Sequence, residues 1–238
     1  MPPFLDVRNV RKDFLLHILN EKTIPALADV SFTMDAGEVL GLTGKSGSGK
    51  SSLMKCIYRT YLVSSGEIFF DSSVAGVIDL ASAPEHEVLR VRRTDMTYCS
   101  QFLSVIPRVT AVDVVAARLI NRGGDADAAR ETARDLLERL GLPNELWDAY
   151  PSTFSGGEQQ RINVAQAIIA RPRFLLIDEP TASLDPRTKD VVIDMILDLK
   201  ERGTGVILIT HDKHTLERMA DRQLNLVEGR LEEVAPAT

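Results

Sequence analysis

The chain has 238 residues, enough for one large α/β domain or for a core carrying a small inserted subdomain. A hydrophobic share of 44% can fill a sizeable core, and 34 acidic against 28 basic residues leave a net charge of −6, which argues against a general nucleic-acid binder. Cys56 and Cys99 form no CxxC and no metal spacing, and read as ordinary buried thiols of a protein in a reducing cytosol.

Met1 to Asp6 lacks a basic segment followed by an apolar core, and no apolar run approaches the ~20 residues that span a bilayer. The expectation is a cytoplasmic protein without direct membrane insertion, whose membrane contact, if any, comes through a partner. Residues 4–43 alternate as strands do: Phe4, Val7 and Val10 first, then Ala26 to Phe32, then a turn at Ala36-Gly37-Glu38. Val39 to Thr43 reads as a short buried strand and Ser52 to Tyr58 as a helix. Between them stands Gly44-Lys45-Ser46-Gly47-Ser48-Gly49-Lys50-Ser51, which fits the phosphate-binding G-x-x-x-x-G-K-[ST] loop. Its glycines let successive N–H groups point inward at an anion, and the helix adds its positive N-terminus. Lys50 can reach the β- and γ-phosphates of a nucleotide, and the Ser51 hydroxyl can hold Mg²⁺.

Residues 66–80 alternate again, Arg90 to Arg93 read as a solvated helix face, and Met96 to Gln101 reads as a strand ending in a polar residue. From about 102 to 154 the pattern turns helical. Ala129, Ala133, Leu136, Leu137 and Leu140 share one face, and Gly141-Leu142-Pro143 stops that helix. Ser155 to Glu158 opens the next helix, which Arg171-Pro172 ends. Phe174 to Glu179 is a strand with carboxylates at its end, Arg187 to Glu201 an amphipathic helix, and Gly205 to Thr210 a buried strand with His211 just past it. Strands alternating with helices predict a parallel α/β core, with a helical subdomain inserted at 102–170. His17, His86 and His214 show no partner by spacing, and Tyr98 and Trp147 read as core or interface aromatics.

A phosphate loop alone names no reaction. Asp178 ends an apolar strand as a Walker B aspartate does, and would hold Mg²⁺ directly or through water. Glu179 follows it, and Pro180 is expected to free Glu179 from the strand ladder, leaving a carboxylate that can polarise an attacking water. Ser155 and Glu158 have the S-x-x-E spacing of a capping box, and Gly156 and Gly157 expose the first N–H groups of that helix as an anion site.

Ser155-Gly156-Gly157-Glu158-Gln159-Gln160-Arg161 is similar to the signature motif of the ATP-binding cassette (ABC) ATPases, and the resemblance covers essentially the whole chain. It implies a P-loop ABC ATPase fold over 1–238. Residues 1–101 and 171–238 would form a RecA-like core with an antiparallel β subdomain, and 102–170 a helical subdomain. It implies ATP and Mg²⁺ as cofactors, bound by 44–52, including Lys45, Ser46, Ser48 and Ser52. It implies that Phe14 stacks on adenine, that Gln101 senses Mg²⁺ and contacts a coupling partner, and that His211 contacts the γ-phosphate. Ser183-Leu184-Asp185 resembles the D-loop of the dimer interface. The family binds each ATP between one subunit's phosphate loop and the facing subunit's signature, here Ser155, Gly156, Gly157, Glu158 and Gln159. A head-to-tail dimer with a second copy or a sister subunit is therefore implied.

Three positions depart from the family pattern: Phe154 for leucine, Phe14 for tyrosine, and Glu158 for glutamine, which puts a carboxylate near the facing phosphates. Within the family, 100–109 and 149–160, with Glu67-Ile68 and Ala81 to Pro84, resemble the L-subunit family of the phosphonate carbon–phosphorus lyase system. That likeness implies phosphonate breakdown with the lyase core as partner. The alternatives are the ATPase of a lipoprotein-releasing or macrolide-type exporter, and a clamp that binds ATP without turnover. Glu179 and His211 speak against the clamp.

Overall fold

Two sheets organise the computed structural model, which describes residues 3–16, 22–104 and 106–233. Strands β1 (Leu5–Leu16), β2 (Lys22–Met34), β4 (Ser65–Ser72) and β5 (Gly76–Asp79) form an antiparallel sheet in the order β2-β1-β4-β5. Phe4, Val7 and Val10 are all buried although they stand three apart. A regular strand puts every second side chain on one face, so this spacing needs an irregularity. Asn9 supplies it with a φ of 47°, and the register against both neighbouring strands shifts across it.

The second sheet holds β3 (Val39–Thr43), β6 (Met96–Cys99), β7 (Phe174–Asp178), β8 (Gly205–Ile209), β9 (Arg222–Val227) and β10 (Arg230–Glu233), in the order β10-β9-β3-β8-β7-β6. It is parallel except for β10, which runs against β9. Alternate residues of β7 and β8 serve different cores. Leu175, Ile177, Val206 and Leu208 pack with the helical layer, while Phe174, Leu176, Ile207 and Ile209 pack toward the antiparallel sheet. Burial on both faces is why these strands read as unbroken apolar runs.

Helix α1 (Lys50–Ile57) follows β3, and α2 (Glu85–Thr94) precedes β6. Between β6 and β7 come α3 (Ala111–Ile120), α4 (Ala126–Arg139) and α5 (Gly156–Ile168), the inserted helical subdomain. Helices α6 (Pro186–Glu201) and α7 (Lys213–Met219) flank β8. Among the described residues no helix is long and apolar enough to cross a membrane.

One expected strand end is corrected. Strand β6 stops at Cys99, because the Ser100 carbonyl accepts the Asn163 amide at 2.6 Å and the chain leaves the ladder before Gln101. The arginine face of α2 is exposed at Arg90 and Arg93, as expected, and its side chains also make contacts. Arg90 donates to the Val74 carbonyl at 2.8 Å, the Arg92 guanidinium lies 4.1 Å over the Tyr58 ring, and Arg93 donates to the Asn121 carbonyl. His214 is an exposed surface histidine, with Asp190 3.4 Å away, and His17 lies outside the described residues. Both thiols are buried, and burial pushes Cys56 up to about 11 and Cys99 to about 12.

Candidate active site

The turn after β3 is glycine-rich because its backbone demands it. Gly44, Gly47 and Gly49 have φ values of 136°, 80° and 107°. At Gly49 a Cβ would also run into the Ala26 carbonyl, so only glycine fits. Helix α1 then begins at Lys50, whose Nζ donates to the carbonyls of Gly44 at 2.6 Å and Lys45 at 2.9 Å. Burial holds the Lys50 ammonium below its ordinary range, against the pull of Asp178 and Glu179.

Asp178 ends β7 at the same edge of the sheet, and the Ser51 hydroxyl donates to its Oδ2 at 2.9 Å. Burial raises the Asp178 carboxyl above the usual range, with the Ser51 hydrogen bond opposing. A hydroxyl and a carboxylate side by side are hard-oxygen donors that suit Mg²⁺, which takes few protein ligands and completes its shell with water and phosphate.

Glu179 differs from expectation in its backbone. Pro180 does not free it: the Glu179 N–H still donates to Ile209 O at 2.8 Å, continuing the ladder with β8. What redirects the chain is a left-handed φ of 52° at Glu179 itself. The carboxylate then accepts from the His211 backbone N–H at 3.0 Å and the Thr210 hydroxyl at 3.3 Å, with the His211 ring Nε2 3.8 Å away. Burial raises the Glu179 carboxyl above its ordinary range, opposed chiefly by His211.

These groups share one cleft of about 350 Å³, reaching from Ser46, Gly47, Gly49, Lys50, Ser51 and Ser52 to Gln101, Asp178, Glu179 and His211. Phe14 does not line it. Its ring packs edge-on against Tyr61 at 5.3 Å, with the Lys12 ammonium 4.9 Å above. Its cross-strand partner Ile24 and the next residue, Pro25, supply the apolar wall instead, and no sequence signal marked them.

The signature residues stand apart from this cleft. Ser155 caps α5 in a complete capping box: its hydroxyl accepts the Glu158 N–H at 3.4 Å, and Glu158 Oε2 accepts the Ser155 N–H at 2.8 Å. Those bonds hold the Glu158 carboxyl below the usual range. Gln159 turns back onto the carbonyls of Pro151 and Phe154. Asp185 caps α6 by accepting from Thr188 N at 3.0 Å, and is bridged by Arg161 of α5 at 3.1 Å. Ser183, with a φ of 60°, brings its carbonyl so near Gly157 that a Cβ there would lie 2.9 Å from it. The signature and the Ser183-Leu184-Asp185 turn are thus packed on each other, and the phosphate loop, not the signature, lines the cleft.

Comparison with known proteins gives the family and the fold. Residues 27–182 match the ABC transporter family. A putative peptide import ATP-binding protein of Brucella ovis is 35% identical over 98% of this chain and 72% of its own length. The lipoprotein-releasing system ATP-binding protein LolD of Shewanella frigidimarina is 37% identical over 90% of this chain and 87% of its own. Among solved structures, the dimeric post-hydrolysis state of the cassette MJ0796, bound to ADP and Pi, superposes with a TM-score of 0.87 at 28% identity, covering 98% of this chain and all of that one.

Proposed function

The chain belongs to the ABC transporter ATP-binding cassette family and is an ATPase, and on that premise we propose that it is the ATP-hydrolysing subunit of a transporter whose membrane part is a separate chain. The observation that carries the reading is the convergence of Lys50, Ser51, Asp178, Glu179 and His211 on one cleft. In it the phosphate-loop amides and Lys50 bind the nucleotide phosphates. Ser51 and Asp178, with Gln101 near them, would hold Mg²⁺, which supplies charge neutralisation on the phosphates. Glu179 orients water and takes its proton, and the His211 amide keeps its carboxylate in place. Because the Glu179 carboxyl is raised, the rate should climb with pH through a value above that of a free glutamate.

Ser155, Gly156, Gly157 and Glu158 do not line their own chain's cleft, and this supports their use across a dimer. There the first amides of α5 would meet the facing subunit's ATP. We take 102–170 as the helical unit and the rest as the core, and place the protein on the cytoplasmic face of a membrane through its partner. The likeness to LolD favours the lipoprotein-releasing alternative, with a macrolide-type exporter beside it. The phosphonate lyase reading rests on 100–109 and 149–160, finds no counterpart in the names of the relatives reported above, and stands second.

Replacing Glu179 by glutamine keeps every phosphate contact and removes the base. Turnover should fall by about 10²–10⁴ while ATP binding persists. A rate near wild type would remove Glu179 from that role. Affinity purification of the intact chain from detergent extracts should bring down membrane-spanning subunits, and recovery of a lyase core instead would reverse the order of the two readings.

A further inference from the structure

Gln160 lies on α5, five residues past the signature serine, and is 5% exposed. An amide this deeply buried needs partners, since leaving it bare is costly. Its Nε2 has two: the Glu179 carbonyl at 3.0 Å and the Pro180 carbonyl at 3.1 Å. These carbonyls close the turn whose first residue is the left-handed Glu179. A non-glycine residue stays in that conformation only when its surroundings over-determine it. Here the ladder bond from Glu179 N to Ile209 O holds one side, and Gln160 with the Ala182 N–H, 3.2 Å from Glu179 O, holds the other.

We propose that Gln160 is a positioning residue for the reaction: its amide clamps the Glu179–Pro180 segment so that the Glu179 carboxylate stays on the His211 amide, facing the cleft. The inference rests on Glu179 being the base. It also joins two sites. Helix α5 begins at the signature, so any movement of its first turn on meeting the facing subunit's nucleotide reaches this subunit's own base through one side chain.

The test compares wild type with Gln160→Leu, which keeps the volume and deletes the donor. The expected kcat is lower by about tenfold to a hundredfold, the scale of an ångström-sized misplacement, with the KM for ATP within about twofold because the phosphate loop is untouched. In a Glu179→Gln background the same substitution should leave the residual rate within about twofold, since a residue acting through the carboxylate has nothing left to position. Gln160→Glu is the second variant, and carries the test alone if the leucine chain fails to fold. Ionised, it repels both carbonyls; protonated, it donates one hydrogen bond, so its rate relative to wild type should recover as pH falls. A Gln160→Leu kcat within twofold of wild type overturns the proposal, as does an equal loss in both backgrounds, or a Gln160→Glu ratio flat in pH. Wild-type turnover by Glu179→Gln alone would instead sink the assignment of the base, and the two failures are read from separate variants.

Discussion

Substituting Glu158 by glutamine should move subunit stability and dimer strength in opposite directions. The cap survives, because a glutamine Oε1 can accept the Ser155 N–H that Glu158 Oε2 accepts at 2.8 Å. What goes is a unit negative charge in the first turn of α5, worth about 0.3–1 kcal/mol. Glu158 is partly exposed, so solvent screening argues for about 0.5 kcal/mol, or a melting temperature lower by about 1–2 °C in a chain of this size. Glu158 is held below the ordinary carboxylate range, first by the Ser155 backbone N–H. Its contribution is therefore present above the unfolded value and disappears as pH falls through the folded one. Scanning calorimetry should show the glutamine chain melting earlier at pH 7 and the gap closing in acid. The dimer responds the other way. If the signature meets the facing subunit's ATP, removing a negative charge there relieves repulsion. Sedimentation with ATP in a Glu179→Gln background should then show a tighter dimer for glutamine, the advantage shrinking as salt screens the charge. A glutamine chain that melts at or above wild type at pH 7 refutes the charge argument. A dimer unmoved by the change makes Glu158 a cap and nothing more.

Lys50→Ala removes the charge from the phosphate loop and strips the Gly44 and Lys45 carbonyls of their donor. ATP affinity by calorimetry should fall about tenfold to a hundredfold, the loss of a charge-assisted hydrogen bond, and unchanged affinity would contradict the phosphate-loop reading. Gly157→Ala places a Cβ 2.9 Å from the Ser183 carbonyl, a backbone atom that cannot step aside freely. Urea melts should show about 1–3 kcal/mol of destabilisation, the usual cost of overpacking; no change would mean that the Ser183 turn is free to shift.

What could be read from the sequence was what is local. The phosphate loop, the carboxylate pair at 178–179 and the capping box at Ser155 each declare themselves within a few residues, because turn, strand end and helix start are short-range structures. The redirection of Glu179 was not legible. Pro180 invited a reading in which the missing N–H does the work, whereas the left-handed φ at Glu179 does it. The bulge at Asn9 hid behind a spacing of three, which a regular strand with its period of two does not produce. Gln160 stood in full view in the signature, yet its partners lie 19 and 20 residues onward, and only the packing of α5 on the strand end brings them together. Phe14 shows the converse. Its place beside Ile24 follows from strand pairing, but the ring turns to Tyr61 and leaves the cleft wall to its neighbour.

The two buried thiols make the natural chain a blank for labelling chemistry. Only a thiolate reacts with maleimides or methanethiosulfonates, and burial holds Cys56 and Cys99 to about 11 and about 12, away from reagent at neutral pH. A single Ser152→Cys substitution at an exposed position would then carry the only accessible handle, with no native cysteine to remove. Ser152 sits three residues ahead of the Ser155 cap, so a spin label or fluorophore there rides with the start of α5. Double electron–electron resonance between two such labels would read the open and closed states of a dimer in trapped samples, and energy transfer would follow its closing in solution.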